Sequence, residues 1–283
     1  MAGIRFVADS THDLVADWAV AHGVTTVPLK VIFGDEALVD GVDITAKDFY
    51  QRMRTATRNP TTSQPAPAEF EAAFRAAAAD GSSVVCTTIS AEMSGTYGAA
   101  VTARESLPDL DIHVIDTRSV SLGHAGVLRA AIETAESGGS LPDVLSTIDE
   151  VMRRQRTIFI VETLEYLRRG GRIGGARALL GSVLNIKPVL QILDGRIEPF
   201  DRVRTYARAL DRMCAEVISA TGEAGRPARV ILGHADKLED CKMIARRLAP
   251  HSQGEPEIID IGPIVGAHAG PGTLGLSFYL PPR

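Results

Sequence analysis

The chain has 283 residues, of which 45% are hydrophobic and 23% charged, with a formal net charge of −5. That length accommodates two domains with a substantial core, and the composition excludes a disordered or fibrous chain. The acidic balance argues against nucleic acid as the partner, because phosphate neutralisation requires clustered Lys and Arg.

The first half alternates strand and helix signals. "IRFVAD" (residues 4–9) is a short β-rich run, and "HDLVADWAVAHG" has helical spacing that stops at Gly23. "VTTVPLKVIFG" and "EALVDG" read as extended pieces, the first an edge because of Pro28. Thr45 opens a helix with Asp48 as its capping-box acid. "PTTSQPAP" (residues 60–67) is stiff and extended, since proline fixes φ and restricts the residue before it. Its backbone reads as unpaired, which makes it either a surface linker or a wall of donors facing a ligand. A helix then runs to Gly81, "SVVCTTI" is a buried strand, "SGTYGAAVTARESL" a helix, "IHVIDT" a strand and "LGHAGVLRAAIETAESGG" a helix. Strands alternating with helices predict a parallel sheet covered on both faces.

In the second half "LPDVLSTIDEVMRRQ" is helical, "TIFIVE" a strand, and "TLEYLRRGG" a helix stopped by glycines. "ARALLGSVLN" is helical, and Asp194-Gly195 between alternating runs signals a hairpin. A long helix begins at Tyr206, and further strands at "ARVILGHA", "PEIIDIG" and "TLGLSFYL" complete a second sheet. The expected fold is α/β with two domains: an N-terminal parallel sheet flanked by helices over 1–160, and a smaller C-terminal α/β domain with a mixed sheet over 161–283.

Cys86, Cys214 and Cys241 lack metal or redox spacing, and Met1 leads into a strand without a signal-peptide pattern. No apolar run reaches the length of a membrane span. The expectation is a cytoplasmic protein without stable membrane insertion. The histidines form no metal-ligand pattern, and no phosphate loop is present. "GGRIGG" follows a helix rather than a strand and lacks dinucleotide-loop spacing. Neither a metal nor a cofactor is expected.

Ligands of open parallel sheets sit at the carboxyl ends of the strands. Here three such ends carry hydroxyls: "DST", "SAEMSGT" and "RSVSLG", the last including Ser121. Each hydroxyl alone is most simply a helix cap. Three together, with Thr62 and Ser63 of "TTSQ", point to a ligand. Ser94, Gly95 and Thr96 sit at a helix start, where free N–H groups favour an anion. "AEMSG" is not a nucleophile elbow, and no acid–base pair is apparent. The site reads as a binder of an anionic head group. "IGPIVGAHAGPGTLG" reads as a glycine-rich loop that places His268 either in the core or as a donor to a ligand carboxylate.

"ADSTHDL", "TTSQPAP", "ISAEMSGTYGAA", "DTRSVSLGHAG", "ETLEYLRRGGRIGGARALLGSVLNIKPVLQILDGRIEP" and "GPIVGAHAGPGTLG" occur in one order, and together they resemble the DegV family of bacterial lipid-binding proteins. The resemblant unit spans about residues 3–281. The resemblance implies a two-domain protein enclosing one long-chain fatty acid. It implies that Thr62 and Ser94 hold the carboxylate, that His268 contributes from the glycine-rich segment, and that Arg172 lies near the head group. Ala66 departs from the family, which often has a serine there. Members can present the acyl chain to a separate fatty acid kinase, and Arg202 and Arg204 are candidate contacts for such a partner. Leu179, Leu180, Val183 and Leu184 are candidate tunnel residues. Two other classes stay open: an acyl-ester hydrolase using Ser94, and a binder of a small phosphorylated metabolite.

Overall fold

The computed structural model describes residues 3–181 and 186–281, so Val183 and Leu184 lie outside the described residues. The chain runs β1 (Ile4–Asp9), α1 (Ala16–Ala21), β2 (Val24–Val27), β3 (Lys30–Phe33), β4 (Glu36–Val39) and α2 (Ala46–Thr55). Next come β5 (Thr61–Ser63), α3 (Pro67–Ala77), β6 (Ser83–Thr88), α4 (Thr96–Glu105), β7 (Ile112–Asp116), α5 (Leu122–Glu136) and α6 (Leu141–Arg154). The second half contains β8 (Arg156–Ile160), α7 (Glu165–Arg169), β9 (Lys187–Leu193), β10 (Arg196–Val203) and α8 (Tyr206–Ala224). It closes with β11 (Arg229–His234), α9 (Leu238–Leu248), β12 (Glu257–Asp260), α10 (Pro263–Ala269) and β13 (Leu274–Tyr279).

The first sheet has the order β2-β1-β6-β7 and is parallel throughout. The order reverses at β1, so a crevice opens at the carboxyl ends of β1 and β6. Alternation along the strands divides the two faces. Val7, Val84 and Cys86 pack with Phe70 and Phe74 of α3 and the alanines of α4. Phe6, Ala8 and Val85 turn to α5 and α6 on the other side.

The second sheet is mixed, with the order β10-β9-β8-β13-β11-β12. β8 pairs with β9 and β13, so the change of sheet comes after α6, ahead of residue 160. Ile158, Ile160, Leu274, Leu276 and Phe278 face α8 and α9. Thr157, Phe159 and Gly275, one residue out of phase, face the opposite way, toward the cavity. Asp194 and Gly195 turn the β9–β10 hairpin with φ of 50° and 81°, the backbone of a two-residue primed turn. α5 is the element that both sheets share: Leu128, Ala131 and Ile132 pack in one cluster with Phe6 and Val85 of the first sheet and Ile231, Ile259 and Tyr279 of the second.

Two expectations are corrected here. The "TTSQ" backbone is paired: β5 is the third strand of a small antiparallel sheet of order β4-β3-β5, with Thr62 opposite Val31. The glycine-rich segment is helical over α10. Pro263 suits a first helical position, and Gly266 is needed for packing rather than flexibility. A Cβ there would lie 2.5 Å from Tyr50 Oη and 2.8 Å from Phe49 Cε1.

Candidate functional site

A cavity of about 800 Å³, its open mouth included, lies between the inner face of the second sheet and the carboxyl-end loops of the first. The walls are mainly aliphatic and aromatic: Ile89, Met93 and Leu122 on one side, Phe159, Ile192 and Ile197 on the other. Leu29 and Thr62 come from the small-sheet region, and Ile264, Val265 and His268 from α10. Polar groups are few, and Thr62, Ser94, Arg172 and His268 are among them.

β5 aims Thr62 inward because side chains alternate along a strand. Its hydroxyl lies 2.8 Å from His268 Nε2. The other ring nitrogen, Nδ1, is buried without a hydrogen-bond partner. It is pressed against Gly170, where a Cβ would stand 2.2 Å away. Burial, and secondarily the nearby Arg172 guanidinium, push the His268 pKa down to about 4. The ring is therefore neutral at pH 7, one nitrogen a donor and the other an acceptor.

Ser94 precedes α4, and its hydroxyl lies 2.9 Å from Thr96 Oγ1 and accepts from the Thr96 amide at 3.3 Å. Neither hydrogen bond is to a general base of the kind that activates a nucleophilic serine. The loops bearing Thr62 and Ser94 meet where Gln64 covers Gly95; a Cβ on Gly95 would lie 2.2 Å from Gln64 Oε1. Arg172 donates from Nε to the Met93 carbonyl at 3.0 Å and from Nη1 to that of Gly170 at 2.7 Å. Its hydrogen bonds thus go to carbonyl groups at the rim rather than to a carboxylate.

The structure brings Thr62, Ser94, Ser121, Arg172 and His268 to one cavity, and it does not bring the rest. Ser63 points outward on β5 and bonds the Gln64 carbonyl. Gly95 is not part of the cavity lining, and its missing side chain leaves room for Gln64. Thr96 is buried behind Ser94. Ser121 touches the cavity but donates its hydrogen to Asp13, so it presents an acceptor to a ligand. Leu179 packs with Leu167 and Ile173 in the core, and Leu180 is 39% exposed beside a separate surface groove. A 3-10 turn covers Gly174–Leu179 where the expected helix begins, and residues 182–185 of that expected helix lie outside the described residues. Arg202 and Arg204 are exposed at the outer edge of the second sheet, on and just after β10. The wall residues Thr157 and Phe159 were not singled out in the sequence; the two-residue period of "TIFIVE" is the signal that marks them.

Residues 3–280 match the family described as "Uncharacterised protein, DegV family". The chain belongs to the DegV family. A DegV domain-containing protein of Streptomyces coelicolor is 38% identical, over 96% of this chain and 97% of its own length. A fatty-acid-binding DegV family protein of Thermus thermophilus is similar in structure, with a TM-score of 0.92 and 34% identity over 98% of this chain and 99% of that one. A stearic acid-binding protein of Eubacterium ventriosum has a TM-score of 0.89 at 30% identity, over 99% of this chain and 98% of that one. The α/β architecture, with its parallel first sheet and mixed second sheet, is that of DegV structures. Among the described residues, no helix is long and apolar enough to cross a membrane.

Proposed function

We propose that this chain binds one long-chain fatty acid, its acyl chain in the cavity and its carboxylate on Thr62 and Ser94 beside Arg172, with His268 behind Thr62. The observation that carries the reading is an apolar cavity with these few hydrogen-bonding groups together on its lining and a cation at its rim. The fatty-acid-binding relatives support it. Each buried methylene contributes about 0.8 kcal/mol, so the chain supplies most of the affinity and the polar end fixes orientation. With Nδ1 walled off by Gly170, the proton of the neutral His268 belongs on Nε2, where it donates to Thr62. Thr62 then keeps its own hydrogen for the carboxylate. His268 acts through Thr62 rather than as an independent third donor. The role is that of a carrier: delipidated protein is expected to bind a fluorescent fatty acid and to give no turnover of chromogenic acyl esters. Failure to bind the fatty acid overturns the reading.

A neutral His268 also sets the pH dependence. An imidazolium counter-ion would lose its charge as pH rises through its pKa, and affinity would fall about tenfold per unit above it. Because the His268 pKa is lowered to about 4, affinity is expected to stay within about threefold between pH 6.5 and 8. Titration of binding over that range checks this, and a steep decline contradicts it.

The same reading includes presentation of the acyl chain to a fatty acid kinase, with Arg202 and Arg204 as contacts. Arg204→Glu is expected to leave fatty acid affinity unchanged and to reduce acyl-phosphate formation with a cognate kinase. Equal rates for variant and wild type would remove that role.

A further inference from the structure

Two buried carboxyl groups, Asp9 and Asp40, and a half-buried one, Asp13, hold one side of the cavity from behind. Asp9 accepts from the amide of the wall residue Ile89 at 2.6 Å. Asp40 accepts from Ser10 Oγ at 2.7 Å, and that oxygen in turn accepts from the amide of the wall residue Leu29 at 3.1 Å. Asp13 accepts from the Ser121 hydroxyl, and its Oδ1 lies against the Gly262 amide. Only Asp13 joins two separate site-bearing helices: Ser121 immediately precedes α5, and Gly262 immediately precedes α10.

The backbone on both sides of that contact is constrained. Asp13 has φ of 54°, and Ser121 has φ of 53° with ψ of −121°, regions that residues other than glycine occupy where the surroundings over-determine them. The Ser121 amide is fixed to the Thr11 carbonyl at 2.8 Å. Gly262 is different: its φ of −69° is open to any residue. A Cβ added there would meet Asp13 alone, 2.4 Å from Oδ1. The missing side chain at Gly262 makes room for the Asp13 carboxyl group. α10 is a short rigid rod, so a change at its start is carried to its last turn, where His268 meets Thr62.

We propose that Asp13 is a positioning residue of the binding site: it fixes the start of α10 against the Ser121 wall and thereby sets the contact between His268 and Thr62. The proposal rests on the fatty acid reading above. The test is the ratio of affinities for hexadecanoic acid and hexadecan-1-ol, measured by displacement of a fluorescent fatty acid. Wild-type protein is expected to prefer the acid. Asp13→Ala and Gly262→Ala are each expected to reduce that preference about fivefold or more, the loss of one well-placed hydrogen bond. Asp13→Asn, which keeps an acceptor oxygen and tolerates positive φ, is expected to recover part of it. Gly262→Ala leaves Asp13 itself in place, so it carries the test if Asp13→Ala does not fold. A parallel loss of both ligands at an unchanged ratio would reduce Asp13 to a structural role and overturn the proposal, as would wild-type ratios in both variants or failure of both to fold. No acid preference in the wild type would instead sink the head-group assignment, and this proposal with it.

Discussion

Replacing Thr62 by Val is expected to weaken long-chain fatty acid binding about tenfold to a hundredfold while barely changing the binding of the matching alcohol. Val keeps the shape and removes the hydroxyl. A hydrogen bond to a charged acceptor contributes about 1.5–3 kcal/mol, which converts to that range. The substitution also removes the partner of His268 Nε2, 2.8 Å away, and leaves a second buried nitrogen unpaired in that ring. Ser94→Ala is expected to act in the same direction and more weakly, because the Ser94 hydroxyl is already engaged with Thr96. The aliphatic walls are untouched in both variants, so neither is expected to abolish binding. Unchanged discrimination between acid and alcohol in Thr62→Val would place the head group elsewhere and leave β5 a purely structural strand.

Leu128→Ala is expected to destabilise the protein by about 2–5 kcal/mol, the range for a fully buried leucine whose surroundings relax only in part. Leu128 is completely buried in the α5 cluster that takes in side chains of both sheets. The two halves are therefore expected to unfold together, in one transition moved to lower denaturant. Trp18, the single tryptophan, packs against the same cluster and reports on it by fluorescence. Urea unfolding followed by Trp18 emission and by far-ultraviolet circular dichroism should give coincident curves. Two separated transitions, with the Trp18 signal unmoved by the substitution, would contradict a shared core.

The fold was legible where short-range signals decide the outcome. Period-2 and helical spacing located most strands and most helices, Thr45 capped α2, and Asp194-Gly195 turned the hairpin. Motif resemblance brought Thr62, Ser94, Arg172 and His268 together before any coordinates did. What the sequence concealed depends on contacts distant in the chain. Gly262, Gly266 and Gly270 made α10 look like a loop, yet a side chain at each would collide with Asp13, Tyr50 and Tyr166 respectively. Three glycines in a row of turns and three glycines at close contacts read alike in one dimension. An unpaired "TTSQ" backbone would group Ser63 with Thr62; pairing with β3 imposes alternation and turns Ser63 outward. The buried network behind the wall was equally hidden. His124 looks like any helical residue, but it is buried with Nε2 2.9 Å from Thr87 Oγ1 and its pKa pushed down to about 3 by burial.

The most direct test of fatty acid binding is the ligand released from protein purified out of cells. Native mass spectrometry followed by denaturation and extraction should give one long-chain monocarboxylic acid per chain, and delipidated protein should take it up again. Release of a small phosphorylated metabolite, or of no ligand together with no uptake of fatty acid, would contradict the account.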